Sequence, residues 1–292
     1  MGHFISDFKL RFRTSSVLTK LIYINVIAFI IIRLLYVLLI LFNERDLDLS
    51  FIWNMPSSPI EILTHPWTIF TYMFVHYDMM HILFNMLWLY WFGKIFISFF
   101  GERQLGGLYI LGGLAGALFF AVAYNLFPYF NAVANHSYLI GASASVMAIV
   151  FAASFYKKNY EINLLFIGPV KLVYLALFTL LIDLFSITSS NAGGHIAHIG
   201  GALLGFWFAH QLRQGKDITK PINKLLDFVA NLFQPKKTKI HVSYKRSETD
   251  IEYNTRKKQA SKRIDKILEK LKRSGYESLS KDEKKELFDA SK

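Results

Sequence analysis

The sequence predicts an all-α membrane protein, in which six transmembrane helices form a bundle and a small cytoplasmic helical module follows them. Three observations support this fold class. Of the 292 residues, 53% are hydrophobic. Residues 1–212 consist mostly of long apolar segments and carry 11 basic and 9 acidic residues. Residues 213–292 carry 22 basic and 12 acidic residues, so most of the net charge of +12 belongs to the tail.

Six apolar segments have about 20 residues each, the length with which an α-helix crosses roughly 30 Å of hydrocarbon. They cover residues 21–42, 79–100, 105–127, 137–156, 164–187 and 192–212. The first is too long for the apolar core of a secretory signal, which has about 7–15 residues. We therefore predict that it is retained as a span.

Basic residues in the connections predict the orientation, because cytoplasmic loops carry an excess of lysine and arginine. With both termini cytoplasmic, Arg45 is the one clear basic residue outside, and the long connection 43–75 lies on the outer side of the cell (inner) membrane. The residues that then lie inside are Lys9, Arg11, Arg13, Lys20, Arg103, Lys157, Lys158, Arg213 and Lys216.

Four regions follow from these patterns. They are a cytoplasmic N-terminal segment (1–16), a six-span domain (17–212), a juxtamembrane helix with a basic linker (213–261) and a small helical module (262–292). Residues 234–258 are polar and predict a linker. Beyond them Gly275 breaks an apolar stripe, and Ser280-x-x-Glu283 predicts a capping box for a last short helix.

Composition excludes several kinds of site. Without cysteine there is no disulfide, no thiolate metal site and no cysteine nucleophile. The near-neutral first part does not predict a nucleic-acid partner, and the basic tail indicates attraction to anionic lipid headgroups of the bilayer. The sequence predicts neither a cofactor nor a metal, and it makes no prediction of oligomeric state.

Polar residues inside the second, fourth and sixth spans indicate where chemistry takes place. His81, Ser143 and His198 each lie about one to two turns below the outer face in the predicted orientation. Burying polar groups in hydrocarbon without partners costs several kcal/mol each. Three such groups at one depth therefore predict a shared site.

An activated serine fits these residue types. Ser143 can act as nucleophile and His198 as the base that takes its proton. His81 and Asn85, four residues apart on one helix face, can donate to an oxyanion, as can the backbone N–H of Ser143. Asp183 in the fifth span has no evident partner and is assigned a structural role, so we expect a Ser–His dyad without a carboxylate.

Small residues predict how the helices that carry this site pack. Gly141 and Ala144 flank Ser143, and Gly201 and Gly205 follow His198 on the sixth span. At 100° per residue His198 lies within that glycine stripe, whereas His195 lies about 120° from Gly201. His198 rather than His195 is therefore predicted to be the base.

The motifs now in view resemble those of the rhomboid family of intramembrane serine proteases, in its bacterial six-span form with a C-terminal cytoplasmic helical module. They are His81-x-x-x-Asn85, Gly141-x-Ser143-x and Ala197-His198-x-x-Gly201-x-x-x-Gly205, in the family's order. The resemblance implies that Ser143 is the nucleophile, His198 the base, and His81 with Asn85 the oxyanion donors. It also implies a transmembrane protein as substrate, cut near the outer face after a small residue.

Three positions depart from the family pattern. Ala144 stands where glycine is common, Thr68 replaces a basic residue after the loop tryptophan, and Met147 replaces an aromatic residue that stacks on the base. Residues 264–292 resemble a module appended to some bacterial rhomboid proteins, whose role is unclear.

Three alternatives remain. A metal-dependent membrane protease using the histidines lacks a His-Glu-x-x-His pattern. An inactive rhomboid-like scaffold that binds transmembrane helices would be expected to have lost the serine or a histidine. A transporter would show broken spans or charged residues along a path. Sensitivity to a serine-directed inhibitor, compared with sensitivity to a chelator, separates the two protease classes.

Overall fold

The computed structural model describes residues 2–44, 47–164, 167–232 and 249–291. The chain divides into two compact units, Met1–Gln234 and Pro235–Lys292. Helices dominate both units, so the predicted all-α fold class is confirmed.

Ten helices and four short strands form the described part of the first unit. The helices are α1 (Gly2–Thr14), α2 (Val17–Leu41), α3 (Pro59–Thr64), α4 (Thr68–Thr71), α5 (Met79–Phe99), α6 (Glu102–Leu126), α7 (Ser143–Tyr156), α8 (Leu172–Phe185), α9 (Ala192–Arg213) and α10 (Lys220–Leu232). The antiparallel strand pairs are β1 (Met55–Pro56) with β2 (Tyr138–Leu139) and β3 (Glu161–Leu164) with β4 (Gly168–Lys171).

Six of these helices correspond to the predicted apolar segments. In length and composition, α2, α5 and α6 suffice to cross a membrane. α9 has 22 residues but includes glycines and histidines and falls outside that group. α7 and α8 have 14 residues each, about 21 Å at 1.5 Å per residue, which is shorter than the hydrocarbon core. The six-span arrangement stays a prediction.

Two predicted helix starts are wrong. The fourth segment was expected to begin at residue 137, but β2 pairs with β1 there and α7 begins at Ser143. The fifth was expected to begin at residue 164, but β3 and β4 form a hairpin and α8 begins at Leu172. In both places apolar residues form strands. Hydropathy alone does not distinguish an apolar strand from an apolar helix.

α7 is the most buried helix of the first unit, and every residue from Ala144 to Ser154 is buried. Its small side chains allow α9 to approach closely. A Cβ atom added at Gly201 would overlap the backbone oxygen of Ala144, and one at Gly205 would overlap that of Ala148. α7 and α9 therefore meet with almost no side chain between their backbones.

The helix α10 packs against the first turns of α6. Thr219 and Asn223 are buried, and a Cβ atom at Gly107 would lie 2.7 Å from Asn223 Oδ1. Gln104 also donates a hydrogen bond to Asp217 at 2.9 Å. The beginning of the tail thus belongs to the first compact unit.

The second unit is a helical hairpin of α11 (Asp250–Ser274) and α12 (Lys281–Ala290). Gly275 has φ of +77° and ends α11, and Ser280 with Glu283 forms a capping box. The predicted break and the predicted capping box are confirmed. α11 begins earlier than residue 259, where the predicted polar linker was expected to end, and residues 234–248 of that linker lie outside the described residues.

Candidate active site

Ser143 is the first residue of α7 and follows a sharp change in backbone direction. Gly141 has φ of +103°, a conformation that favours glycine because a side chain would be strained there. The first N–H groups of a helix have no acceptor within it. Ser143 therefore combines a side-chain hydroxyl with backbone donors that point away from the helix.

A cavity of ≈ 800 Å³ adjoins Ser143 and brings together the candidate residues of three predicted spans. Its lining includes His81, Asn85, Ser143 and His198, and also Asp183. Among the hydrogen bonds of the described residues, none joins Ser143 Oγ to His198. Hydrogen bonds between catalytic groups often tighten only when substrate binds, so lining a common cavity is the relevant geometry.

Asp183 is buried, with 5% of its surface exposed, and contacts His195 and His198, two of the three histidines of α9. Its Oδ1 accepts hydrogen bonds from Nδ1 of His195 at 2.8 Å and from Nδ1 of His198 at 2.9 Å. The expectations that Asp183 has no partner, and that no carboxylate lies next to the predicted base, are therefore wrong.

The short turn between α8 and α9 explains this contact. α8 ends at Phe185 and α9 begins at Ala192, so the two helices form a hairpin with a six-residue connection. In an antiparallel hairpin, residues equally distant from the turn lie opposite each other. Asp183 lies two residues before the end of α8 and His195 three residues after the start of α9, so they lie at nearly the same distance from the turn. His198 lies one turn further along α9. Turn length and helix spacing are the sequence signal that could have found this partner.

The hydrogen bond to Asp183 determines which ring nitrogen of His198 is available. Because Nδ1–H donates to the carboxylate, Nε2 is the nitrogen that can accept a proton. His198 lines the cavity, whereas His195 does not. The geometry therefore favours His198 over His195 as the base for Ser143.

His81 and Asn85 lie on one face of α5 at the cavity. The His81 ring packs against the backbone at Gly141, where an added Cβ would be 2.9 Å from both Cε1 and Nε2. Asn85 is buried and donates one amide N–H to the carbonyl oxygen of His81 at 3.0 Å. An amide has two N–H donors, so the second can serve a ligand in the cavity.

His76, in the connection before α5, holds the backbone just before Ser143. Its Nε2 accepts a hydrogen bond from the N–H of Ala142 at 3.4 Å, and its ring packs edge-on against His81. Burial, followed by the proximity of His81, lowers the pKa of His76 to about 4. His76 is therefore a neutral acceptor near pH 7 that supports the backbone before Ser143.

Two of the departures from the family pattern have identifiable surroundings. Thr68 is buried, and its hydroxyl donates to the carbonyl oxygen of His65 at 2.6 Å. The neighbouring Trp67 donates from Nε1 to the carbonyl oxygen of Ile52 at 2.7 Å. The connection before α5 is thus held by its own hydrogen bonds. Met147 is buried and lines the cavity.

Comparison with known proteins gives two family matches. Residues 63–215 match the Rhomboid domain, and residues 247–292 match a family of unknown function, DUF6576. The chain is 29% identical over 158 residues to the protein named RHOMBOID-like protein 12, mitochondrial, of Arabidopsis thaliana. The aligned region covers 51% of this chain and 47% of that relative.

The human protein named presenilin-associated rhomboid-like protein, mitochondrial, is 26% identical over 182 residues, which covers 58% of this chain and 43% of the relative. The chain thus spans less than half the length of these curated relatives.

Proposed function

Because the chain belongs to the rhomboid family, a family of membrane proteins, we propose that it is an intramembrane serine endopeptidase. In this proposal it cleaves transmembrane segments of other membrane proteins near the outer face. One observation carries the proposal. Ser143 and His198 line one cavity, and Asp183 is hydrogen-bonded to Nδ1 of His198, which leaves Nε2 of that ring available. A nucleophile, a base and an orienting group are the parts that acyl transfer by serine requires.

Ser143 Oγ attacks the scissile carbonyl while His198 Nε2 takes its proton. Asp183 holds the imidazole with its proton on Nδ1 and stabilises the imidazolium that forms. The amine leaving group then receives that proton from His198, and water hydrolyses the acyl-enzyme with His198 again as base. In place of the expected dyad, we propose a Ser–His pair assisted by a buried carboxylate.

Negative charge develops on the carbonyl oxygen during attack and needs donors already in place. The candidates are the ring N–H of His81, the second amide N–H of Asn85 and the backbone N–H of Ser143. They come from the start of α7 and one face of α5, which surround the same part of the cavity. The helix dipole at the start of α7 adds to this stabilisation.

The substrate is proposed to enter in extended form, because a peptide bond held within a helix is not accessible to a serine hydroxyl. Strand β2 (Tyr138–Leu139) and the residue after it line the cavity directly before Ser143. Extended backbone can pair with an extended peptide. The small size of the residue at the cut is carried over from the family resemblance.

Cleavage is tested with the purified full-length protein in detergent and a model transmembrane substrate. Ser143→Ala is expected to abolish cleavage and covalent labelling by a fluorophosphonate probe. Ser145→Ala is the matched control, because Ser145 is fully buried two residues away and its hydroxyl has no hydrogen-bond partner among the described residues. Cleavage that survives Ser143→Ala, or that a chelator removes and the probe does not, contradicts the proposal.

The proposed orientation has both termini on the cytoplasmic side of the cell membrane and the cavity near the outer face. The basic residues of the connections support it. A reporter active only outside the cytoplasm, fused after Lys216, is expected to give no signal. A signal from that fusion contradicts the orientation and leaves the chemistry untouched.

A further inference from the structure

Asp183 accepts hydrogen bonds from two histidines, although the proposed base needs only one carboxylate partner. The cluster therefore contains one more polar side chain than the proposed chemistry uses. One ring nitrogen of each histidine and a carboxylate oxygen of Asp183 all lie within 4.8 Å of one another. The sequence analysis predicted no metal, because no His-Glu-x-x-His pattern occurs.

These three groups are a ligand set for zinc. Two imidazole nitrogens and one carboxylate oxygen bind Zn²⁺ in many proteins, with a water in the remaining position. Mg²⁺ and Ca²⁺ prefer sites made of oxygen atoms alone. His195 and His198 are three residues apart on one face of α9, and α8 supplies the carboxylate.

The two distances from the histidine nitrogens to Asp183 Oδ1 require little movement. Ligand atoms in a tetrahedral zinc site are about 3.3 Å apart, because the bonds are about 2.0–2.2 Å long. The present Nδ1–Oδ1 distances of 2.8 and 2.9 Å would have to widen by about 0.5 Å. Asp183 and His198 line the cavity, which provides a route for the ion and room for a water ligand.

Burial of Asp183 gives a cation an electrostatic reason to bind. A carboxylate removed from water is stabilised by a positive partner, and a neutral imidazole supplies only a dipole. A divalent cation at Nδ1 of both rings would place full positive charge beside Asp183. The displaced ring protons move to the Nε2 atoms, so each imidazole remains neutral.

We propose that Asp183, His195 and His198 bind a divalent d-block cation of the zinc type, and that the bound ion inhibits cleavage. The inhibition rests on the proposed protease function, whereas the binding does not. A cation on Nδ1 of His198 leaves the ring proton on Nε2. That nitrogen then cannot accept the proton of Ser143, and the serine is no longer activated.

Binding is measured on the full-length Ser143→Ala protein in detergent, with any histidine tag removed and Co²⁺ as the probe. We expect one equivalent of Co²⁺ with visible d–d absorption that Zn²⁺ displaces. Adding His195→Ala is expected to weaken this binding at least tenfold. His210→Ala, an exposed histidine near the other end of α9, is the matched control and should bind normally. Absent absorption, or equal binding with His195→Ala, overturns the site.

Folding of the variants is checked by thermal unfolding. Zn²⁺ is expected to raise the Tm of the wild-type protein and of His210→Ala, because a ligand that binds the folded state stabilises it. The Tm of His195→Ala should not change when Zn²⁺ is added. An equal Zn²⁺-dependent rise in His195→Ala overturns the site even if the cobalt spectra are weak.

Inhibition is measured as cleavage against Zn²⁺ concentration, with reversal by a chelator. His195→Ala is expected to retain measurable cleavage and to need at least tenfold more Zn²⁺ for half inhibition. Equal sensitivity overturns the inhibitory role. If the wild-type protein shows no Ser143-dependent cleavage, the protease proposal fails, and the cobalt titration still decides whether the metal site exists.

Discussion

The two compact units use polar side chains in opposite ways. In the first unit Asp183 and Asn25 are buried, and each is hydrogen-bonded to side chains of another helix. In the second unit Glu252 and Glu283 lie on the surface and cap the starts of α11 and α12. Removing one member of a buried pair leaves the other without a partner and costs more than removing a surface cap. Substitutions should therefore have large effects in the first unit and small ones in the second.

The largest expected effect distinguishes His195 from His198, which lie one turn apart on α9. His198→Ala should abolish cleavage, because it removes the proposed base, whereas His195→Ala should keep a measurable fraction. Both are assayed on the same transmembrane substrate with Tm measured in parallel. Activity in folded His198→Ala together with inactivity in folded His195→Ala would assign the base to His195.

Asp183→Asn is expected to lower kcat by roughly 10²–10⁴-fold with little change in KM, because the carboxylate orients and stabilises the base without touching the substrate. Thr179→Val is the matched control: Thr179 lies one turn away on α8, lines the cavity and donates a hydrogen bond to the carbonyl oxygen of Ala176. A folded Asp183→Asn protein with wild-type kcat would show that the carboxylate is structural.

Asn85→Ala is expected to lower kcat by roughly 10²-fold, the lower end of the usual cost of an oxyanion donor, because His81 and the backbone of Ser143 share that role. The double variant with His81→Ala should lose less than the product of the two single losses if both serve one oxyanion. If the loss in kcat of the double variant equals the product of the two single losses, His81 and Asn85 have separate roles.

Truncation tests the boundary between the two units. Every candidate catalytic residue precedes His210, which by itself predicts that the tail after Asp217 is dispensable for cleavage. The structure moves the tolerated end to Leu232, since Thr219 and Asn223 are buried against α6. A protein ending at Leu232 should cleave within a few-fold of wild type, and one ending at Asp217 should have a lower Tm. Equal Tm values would contradict the packing role of α10.

The smallest effect is expected in the second unit. Ser280→Ala removes the capping box of α12 and should reduce the stability of that unit by about 1 kcal/mol. Hydrogen exchange in α12 measures this change, with Ser291→Ala at the other end of the helix as a control. Cleavage should be unchanged, and a large loss of cleavage would contradict the division of the chain into independent units.

Patterns along the chain predicted most helices, because apolar length and capping residues act locally. They also predicted the small-residue contact between α7 and α9, since Gly201 and Gly205 repeat with helical spacing. They failed where distant segments decide the structure. The start of α7 depends on pairing between residues 138–139 and 55–56, and the role of Asp183 depends on the turn between α8 and α9. Hydropathy carries no information about either partner.

The packing of α10 on α6 also has a consequence for the order of synthesis. A chain emerges from the ribosome N-terminus first, and its parts fold as they appear. The surface of α6 at Gly107 is covered by Asn223, which is made after every helix of the cavity. This end of the bundle can therefore be completed only after α10, which does not line the cavity, has been made. The newly made protein contains all the candidate catalytic residues before α10 can pack on α6.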